Sequence, residues 1–249
     1  MLLDGKIALI TGAGAGIGSA VARRFAAEGA LLWLNDIDAD ALAAVVEDTG
    51  GGGMAGDASD PEFVATWVAE AVRGHGRVDV LYSNVGVSRP GRIGELSDDA
   101  WRQQQRLTLD TCFYATRAVI PHMRTNGGGS IVAMSSGAGI GGQYGLGGYA
   151  AAKAGVISLM ETVATEYGDE GIRANSVTPG PTATAPLLSY LGRQEGGIAA
   201  HTADLDLARL TDPDEVAAVV AWLASDESSS ITGMCIRANI RSASRRPRH

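Results

Sequence analysis

The sequence predicts an α/β fold built on one parallel sheet, doubly wound so that helices cover both faces. Two observations predict it. Short apolar runs alternate with helical patterns from one end of the chain to the other, and the runs are apolar throughout rather than at every second position. Strands that read this way are buried on both sides, as in parallel sheets wrapped by crossover helices. At 249 residues the chain suits a single α/β domain, taken as residues 1–240 with a short basic tail at 241–249.

The elements follow in order. Lys6–Thr11 (KIALIT) is a buried strand, and Gly16–Gly29 is a helix with Ile17, Ala20, Val21 and Phe25 on one face. Leu31–Asn35 is the next strand, followed by a helix from about Asp38 to Asp48. Met54–Asp57 reads as a weak strand. Pro61–His75 is a helix with proline in its first turn, where a missing N–H costs nothing. Val78–Ser83 is a strand, and an irregular stretch runs on to Leu96. Asp98–Arg124 is a long helix, Ser130–Ser135 a strand and Tyr149–Gly168 a helix. Ile172–Val177 is a strand ending at Pro179, Pro213–Ala224 a helix and Met234–Ile236 a last short strand. Two segments resist the pattern: Gly137–Gly148 contains seven glycines, and Pro181–Leu210 has no strong period. Loops of this length are lids, binding loops or disordered segments; a lid is expected at about 181–212.

Composition narrows the function. Apolar residues make up 45% and charged residues 19%, the balance of a chain that buries a core. The formal charge of −8 argues against nucleic acid as the main partner. Residues 1–236 hold 15 basic and 28 acidic side chains, whereas Arg237, Arg241, Arg245, Arg246 and Arg248 follow the last acidic residue, Glu227. Ser242–His249 is apolar only at Ala243, so a weakly held end is expected there. Cys112 and Cys235 lie far apart, and the four histidines form no ligand spacing, so neither a disulfide framework nor a metal site is expected. No apolar stretch suits a signal peptide or a membrane span, and a cytoplasmic protein is expected.

The first strand runs directly into Thr11-Gly12-Ala13-Gly14-Ala15-Gly16-Ile17-Gly18, where a helix opens. Glycines allow the tight turn and let the backbone approach a pyrophosphate, while the helix N-terminus offers free N–H groups. By itself a glycine cluster is also ordinary turn chemistry; here it has the strand-to-helix setting that the motif requires. Asp36 lies 20 residues after Gly16 at the end of the second strand. A carboxylate there accepts hydrogen bonds from a ribose diol and repels a 2′-phosphate. With Ala15 and Ile37 carrying no positive charge, the expected cofactor is NAD rather than NADP. An exposed loop aspartate is the plainer alternative, since Asp38 and Asp40 are close by.

Tyr149 and Lys153 are spaced i, i+4 on the helix after the glycine-rich loop and share a face. A phenol with its pKa near 10 is a poor base at neutral pH, and a nearby ammonium is expected to lower it. Ser136 closes the preceding strand, within reach of the same substrate oxygen. The chain has 18 arginines and only two lysines, Lys6 and Lys153. A lysine kept in so arginine-biased a sequence suggests a need for a compact ammonium.

Together these motifs resemble the short-chain dehydrogenase/reductase family, from roughly Met1 to Gly233. Besides TGAGAGIG at Thr11–Gly18 and Asp36, the matching pieces are Gly56-Asp57-Ala58 and Ser83-Asn84-Val85-Gly86. Ser136 stands 13 residues before Tyr149, and Pro179-Gly180-Pro181-Thr182-Ala183-Thr184 matches the segment after the sixth strand. The resemblance implies a Rossmann-type, seven-stranded sheet in the order 3-2-1-4-5-6-7 and hydride transfer between a nicotinamide and an alcohol or carbonyl carbon. It implies Tyr149 as acid/base, Lys153 on the nicotinamide ribose and Ser136 as orienter of the substrate oxygen. Gly12, Gly16, Ile17 and Gly18 would meet the pyrophosphate, Asp57 and Ala58 the adenine, and Asn84 and Gly86 the ribose side. Pro179, Thr182 and Thr184 would meet the carboxamide end. A homotetramer or dimer with the two long helices in a shared bundle is also implied.

Two positions depart from the family. Thr108 stands where an asparagine usually completes a tetrad and helps hold a water linking the lysine to solvent. A main-chain carbonyl serves equally if the helix is distorted there, as threonine hydroxyls can bring about, so Thr108 O or Oγ1 is expected as the partner. The family's V-D-G-G after the last strand is replaced by Ala238-Asn239-Ile240-Arg241.

Candidate pocket residues are Ser88, Gln143, Tyr144, Leu187 and Leu188, with Val87, Ile93, Tyr190 and Leu191 beside them. Most are apolar, which suits a hydrophobic alcohol or ketone, though each is equally open to ordinary packing. Arg89, Arg92 and Arg193 are either anchors for a carboxylate or thioester carrier or solvated loop charges. Three readings stand: an NAD-dependent alcohol dehydrogenase or carbonyl reductase, a non-redox epimerase or lyase using bound NAD, and a weakly active NAD-binding protein.

Overall fold

All five residues of the first strand are buried, so it has neighbours on both edges and helices on both faces. In the computed structural model, which describes residues 1–203, 205 and 207–238, seven parallel strands lie in the order β3-β2-β1-β4-β5-β6-β7. They are β1 (Ile7–Thr11), β2 (Leu31–Asp36), β3 (Gly52–Ala55), β4 (Val80–Ser83), β5 (Gly129–Met134), β6 (Ile172–Pro179) and β7 (Cys235–Ala238). The helices are α1 (Gly16–Ala27), α2 (Ala39–Thr49), α3 (Pro61–His75), α4 (Asp98–Gln105), α5 (Thr111–Thr125), α6 (Gly137–Ile140), α7 (Gly147–Tyr167), α8 (Ala185–Leu191), α9 (Gly197–Thr202) and α10 (Pro213–Ala224). The expected doubly wound α/β fold and its strand order are both present. Chain order reverses between β1 and β4, which pair Ala8↔Val80 through Thr11↔Ser83; the crevice beyond the carboxyl ends of these strands is where such sheets bind ligands.

Alternate strand residues feed two cores. Ala8, Ile10, Val132 and Met134 pack beneath Val21 and Phe25 of α1, Leu42 of α2 and Val220 of α10. Ile7, Leu9, Ile131 and Ala133 pack against Trp67 of α3, Val119 of α5 and Val156 of α7. Acidic caps start several of these helices: Asp38 for α2, Asp60 for α3, and Asp212 with Glu215 in a reciprocal capping box for α10. No described helix is long and apolar enough to cross a membrane.

Several boundaries differ from those expected. The strand read at Met54–Asp57 lies two residues earlier, where Gly52 pairs with Trp33 and Ala55 with Asp36; glycines give no hydropathy signal, so apolar counting misses them. The segment 181–210 is not structureless: it carries α8 and α9, and its ends are clasped where Ala183 N–H donates to Thr211 O at 2.9 Å. Part of the glycine-rich loop coils into α6, capped by the Ser136 hydroxyl, which accepts from Ala138 N–H at 3.2 Å. The long helix expected over Asp98–Arg124 is interrupted by a π turn at Arg106–Asp110. The last strand runs to Ala238 rather than Ile236. The expectations for Asn239–Arg241 and for the tail at Ser242–His249 lie outside the described residues.

Candidate active site

At Gly18 the glycine loop closes onto α1 with no room for a side chain. A Cβ on Gly18 would stand 1.9 Å from Gly12 O and 2.8 Å from Asn84 Nδ2, so only glycine lets the helix start this close to the loop. Among the described residues, α1 has no side-chain cap and no acidic residue in its first turn. The N–H groups around Gly16, Ile17 and Gly18 therefore face outward without a side-chain acceptor, the arrangement that binds phosphate. Thr184, at the start of α8, lies against Gly16, its Cγ2 being 3.2 Å from where a Cβ would be. Thr182 is buried in the same clasp, and Pro179 ends β6.

Asp36 ends β2 beside this loop. Its Oδ2 accepts from Gly14 N–H at 2.8 Å and its Oδ1 from Asp38 N–H at 3.0 Å. The carboxylate thus holds the loop's shape as well as lining a cleft of about 330 Å³. Gly12, Asp57, Ala58, Asn84 and Gly86 line the same cleft, so the structure brings together residues that the sequence distributes over 75 positions. These residues fit a dinucleotide: a cradle that admits backbone only, a helix N-terminus and a carboxylate wall.

Asn84 locks β4 to the glycine loop. Its N–H donates to Thr11 Oγ1 at 3.2 Å, its Nδ2 donates to Gly12 O at 3.0 Å, and its Oδ1 accepts from the Tyr82 hydroxyl at 3.1 Å. Two residues on, a Cβ at Gly86 would stand 2.7 Å from Lys153 Nζ. The lysine head therefore lies against bare backbone at the cleft floor.

Ser136, Tyr149 and Lys153 meet at the end of β5. Ser135 Oγ donates to Lys153 O at 2.8 Å, fixing α7 to the strand. Lys153 is 2% exposed, its Nζ donates to Met134 O at 2.6 Å, and it lies 5.8 Å from the Tyr149 ring centroid. Burial lowers the lysine to about 8, opposed by Cys112. Burial pushes the Tyr149 hydroxyl above the ordinary phenol value, and the neighbouring Ser136 hydroxyl pulls the other way. Lys153 is not among the causes of that shift in this structure, where its ammonium turns to Met134 O.

The π turn presents Thr108, fully buried, to the loop after β4. Its Oγ1 accepts from Val87 N–H at 3.2 Å and donates to Val87 O at 3.4 Å, while its own carbonyl accepts from Thr111 Oγ1 at 3.3 Å. The helix is distorted here, but the hydroxyl bonds Val87 rather than a carbonyl of the preceding turn, leaving the Thr108 carbonyl as the group open to a relay.

Sequence reasoning missed three neighbours. Leu107 lines the cleft. Gln105 Nε2 donates to Gly148 O at 3.0 Å, beside Tyr149. Buried Gln104 accepts from Arg89 N–H at 3.0 Å and packs on Gly148. A 3.6-residue period mislocates Leu107, since the π turn inserts a residue and rotates the register; Gln104 and Gln105 precede it in α4 and belong to no motif.

The proposed pocket residues gather less completely. Gln143 Nε2 lies 3.7 Å from a Cβ position on Gly137, beside Ser136. Tyr144 is 87% exposed and does not join the site, because the hydrogen bond from Gly91 N–H to Gly145 O holds the loop base and leaves its tip in solvent. Ser88 and Leu188 are exposed and Leu187 is half-buried, while Leu191 is buried at the end of α8.

Residues 12–239 match the profile of the family described as enoyl-(acyl carrier protein) reductase. The 3-oxoacyl-[acyl-carrier-protein] reductase FabG of Thermotoga maritima is 37% identical over 243 residues, covering 95% of this chain and 97% of that protein. Meso-2,3-butanediol dehydrogenase of Serratia marcescens is 36% identical over 236 residues, 94% of this chain and 92% of the relative. Cyclohexanol dehydrogenase of an Acinetobacter species is 38% identical over 236 residues, 92% of each chain. A crystal structure of a Burkholderia xenovorans chain, described as a short-chain dehydrogenase/reductase, superposes with a TM-score of 0.92 at 36% identity over 98% of both chains.

Proposed function

The chain belongs to the short-chain dehydrogenase/reductase family, and from that premise we propose that it interconverts a small hydrophobic secondary alcohol and its ketone, using NAD(H). That it is an oxidoreductase of this family working with a nicotinamide cofactor follows from its relatives; the choice of NAD and of substrate is our reading. The observation that carries it is the meeting of Ser136 and Tyr149 beside buried Lys153, whose head rests on Gly86 in the lining of the cleft that Asp36 walls.

When bound, the nicotinamide supplies the hydride acceptor or donor. The chain supplies the rest. Ser136 Oγ orients the substrate oxygen, and Tyr149 takes the hydroxyl proton as the phenolate during oxidation or gives one up as the phenol during reduction. Lys153 holds its place through Met134 O and Gly86. The Asp36 carboxylate, with uncharged Ile37 after it, favours a free ribose diol over a 2′-phosphate. Cyclohexanol and 2,3-butanediol, for which two relatives are named, are both secondary alcohols and support the substrate class.

The test is a panel of secondary alcohols with NAD and, in parallel, NADP, followed at 340 nm over about pH 7–10. NADH formation with at least one apolar alcohol is expected. Silence with every alcohol, and with the matching ketones and NADH, would overturn the reading.

A further inference from the structure

Arg106 opens the π turn and reaches across to the loop after β3. Its Nη1 donates to Ser59 Oγ at 2.7 Å and lies 3.4 Å from Asp57 Oδ2. Ser59 completes a closed set, its N–H and hydroxyl both donating to Asp57 Oδ1, at 2.8 and 2.7 Å. One carboxylate oxygen is thus saturated by Ser59, and the other faces the guanidinium with a lone pair left over.

The pair is poorly placed to stabilise the fold. The side chains of Arg106 and Asp57 are 52% and 39% exposed, and exposed ion pairs of this kind add little stability. Its position says more. Asp57 and Ala58 line the cleft, as does Leu107, the residue after Arg106. We propose that Arg106 is a positioning residue for the adenine end of the cofactor, acting through Asp57. By arresting the carboxylate between Ser59 and a planar guanidinium, it aims the spare Oδ2 lone pair at an exocyclic amino group of a purine. The inference rests on the dinucleotide reading above, and it concerns a residue outside the motifs that carry that reading.

The experiment is calorimetric titration of the full-length protein with ADP-ribose and, separately, with nicotinamide mononucleotide. Wild type, R106A, D57N and the double variant are compared. R106A should bind ADP-ribose about three- to tenfold more weakly, the loss of one charge-assisted contact, with nicotinamide mononucleotide unchanged. In the D57N background R106A should add less than twofold, since residues acting through one another are non-additive. R106A within twofold of wild type, equal weakening of both ligands, or independent effects in the double variant would each overturn the inference. Wild type failing to bind ADP-ribose at all would overturn the dinucleotide reading itself, and this inference with it.

Discussion

Thr108 and Val87 bond twice: the threonine hydroxyl accepts from the valine N–H at 3.2 Å and donates to its carbonyl at 3.4 Å. One side chain thus fixes the backbone that leaves Gly86, the residue against which Lys153 rests. Thr108→Val keeps the shape but removes both bonds. It should cost about 1–3 kcal/mol by leaving a Val87 group without its partner and lower turnover. Thr108→Asn, which keeps an acceptor and a donor, should change turnover by less than tenfold. A rise of tenfold or more, about 1.4 kcal/mol of barrier, would show that the threonine leaves the relay impaired.

Tyr149→Phe keeps the ring and removes the transferable proton. Alcohol oxidation should fall by at least 10²–10⁴-fold, while calorimetry finds cofactor affinity near that of wild type. Near-normal turnover would exclude Tyr149 as the acid/base.

Asp36 has two tasks that substitutions separate. Asp36→Asn keeps an acceptor for Gly14 N–H or Asp38 N–H but loses the charge, so NAD preference over NADP should narrow with little loss of thermal stability. Asp36→Ala abandons both bonds and should also destabilise by about 1 kcal/mol per lost partner. Paired NAD and NADP kinetics with thermal melts decide this, and equal wild-type turnover with both cofactors would remove the argument.

Lys153 should cost stability for the sake of function. Burial lowers it from 10.5 to about 8, so below about pH 8 the fold carries a charge it disfavours. Between about 8 and 10.5 the folded protein has lost a proton that the unfolded chain still holds, and stability from this group rises with pH. Lys153→Met should therefore stabilise the protein by roughly 1–3 kcal/mol at pH 7, with the advantage shrinking toward pH 10.5. Urea unfolding at pH 7 and pH 10 measures both, and a variant less stable than wild type at pH 7 would reverse the sign.

Some of this architecture is local and therefore readable in the chain. A glycine loop between an apolar run and a helix, an aspartate ending the next strand, and a tyrosine four residues before a lysine each announce themselves within a few residues. Backbone sterics and helical periodicity act over that range. Strand order comes only from the family resemblance that these motifs carry. What only the tertiary structure decided depends on groups far apart in the chain. The π turn at Arg106–Asp110 shifts helical register, and with it Leu107 reaches the cleft and Arg106 reaches Asp57, 49 residues away. The lowered Lys153 and raised Tyr149 come from burial among β5, α5 and α7. Desolvation belongs to a place in the packed molecule, and no stretch of sequence carries it.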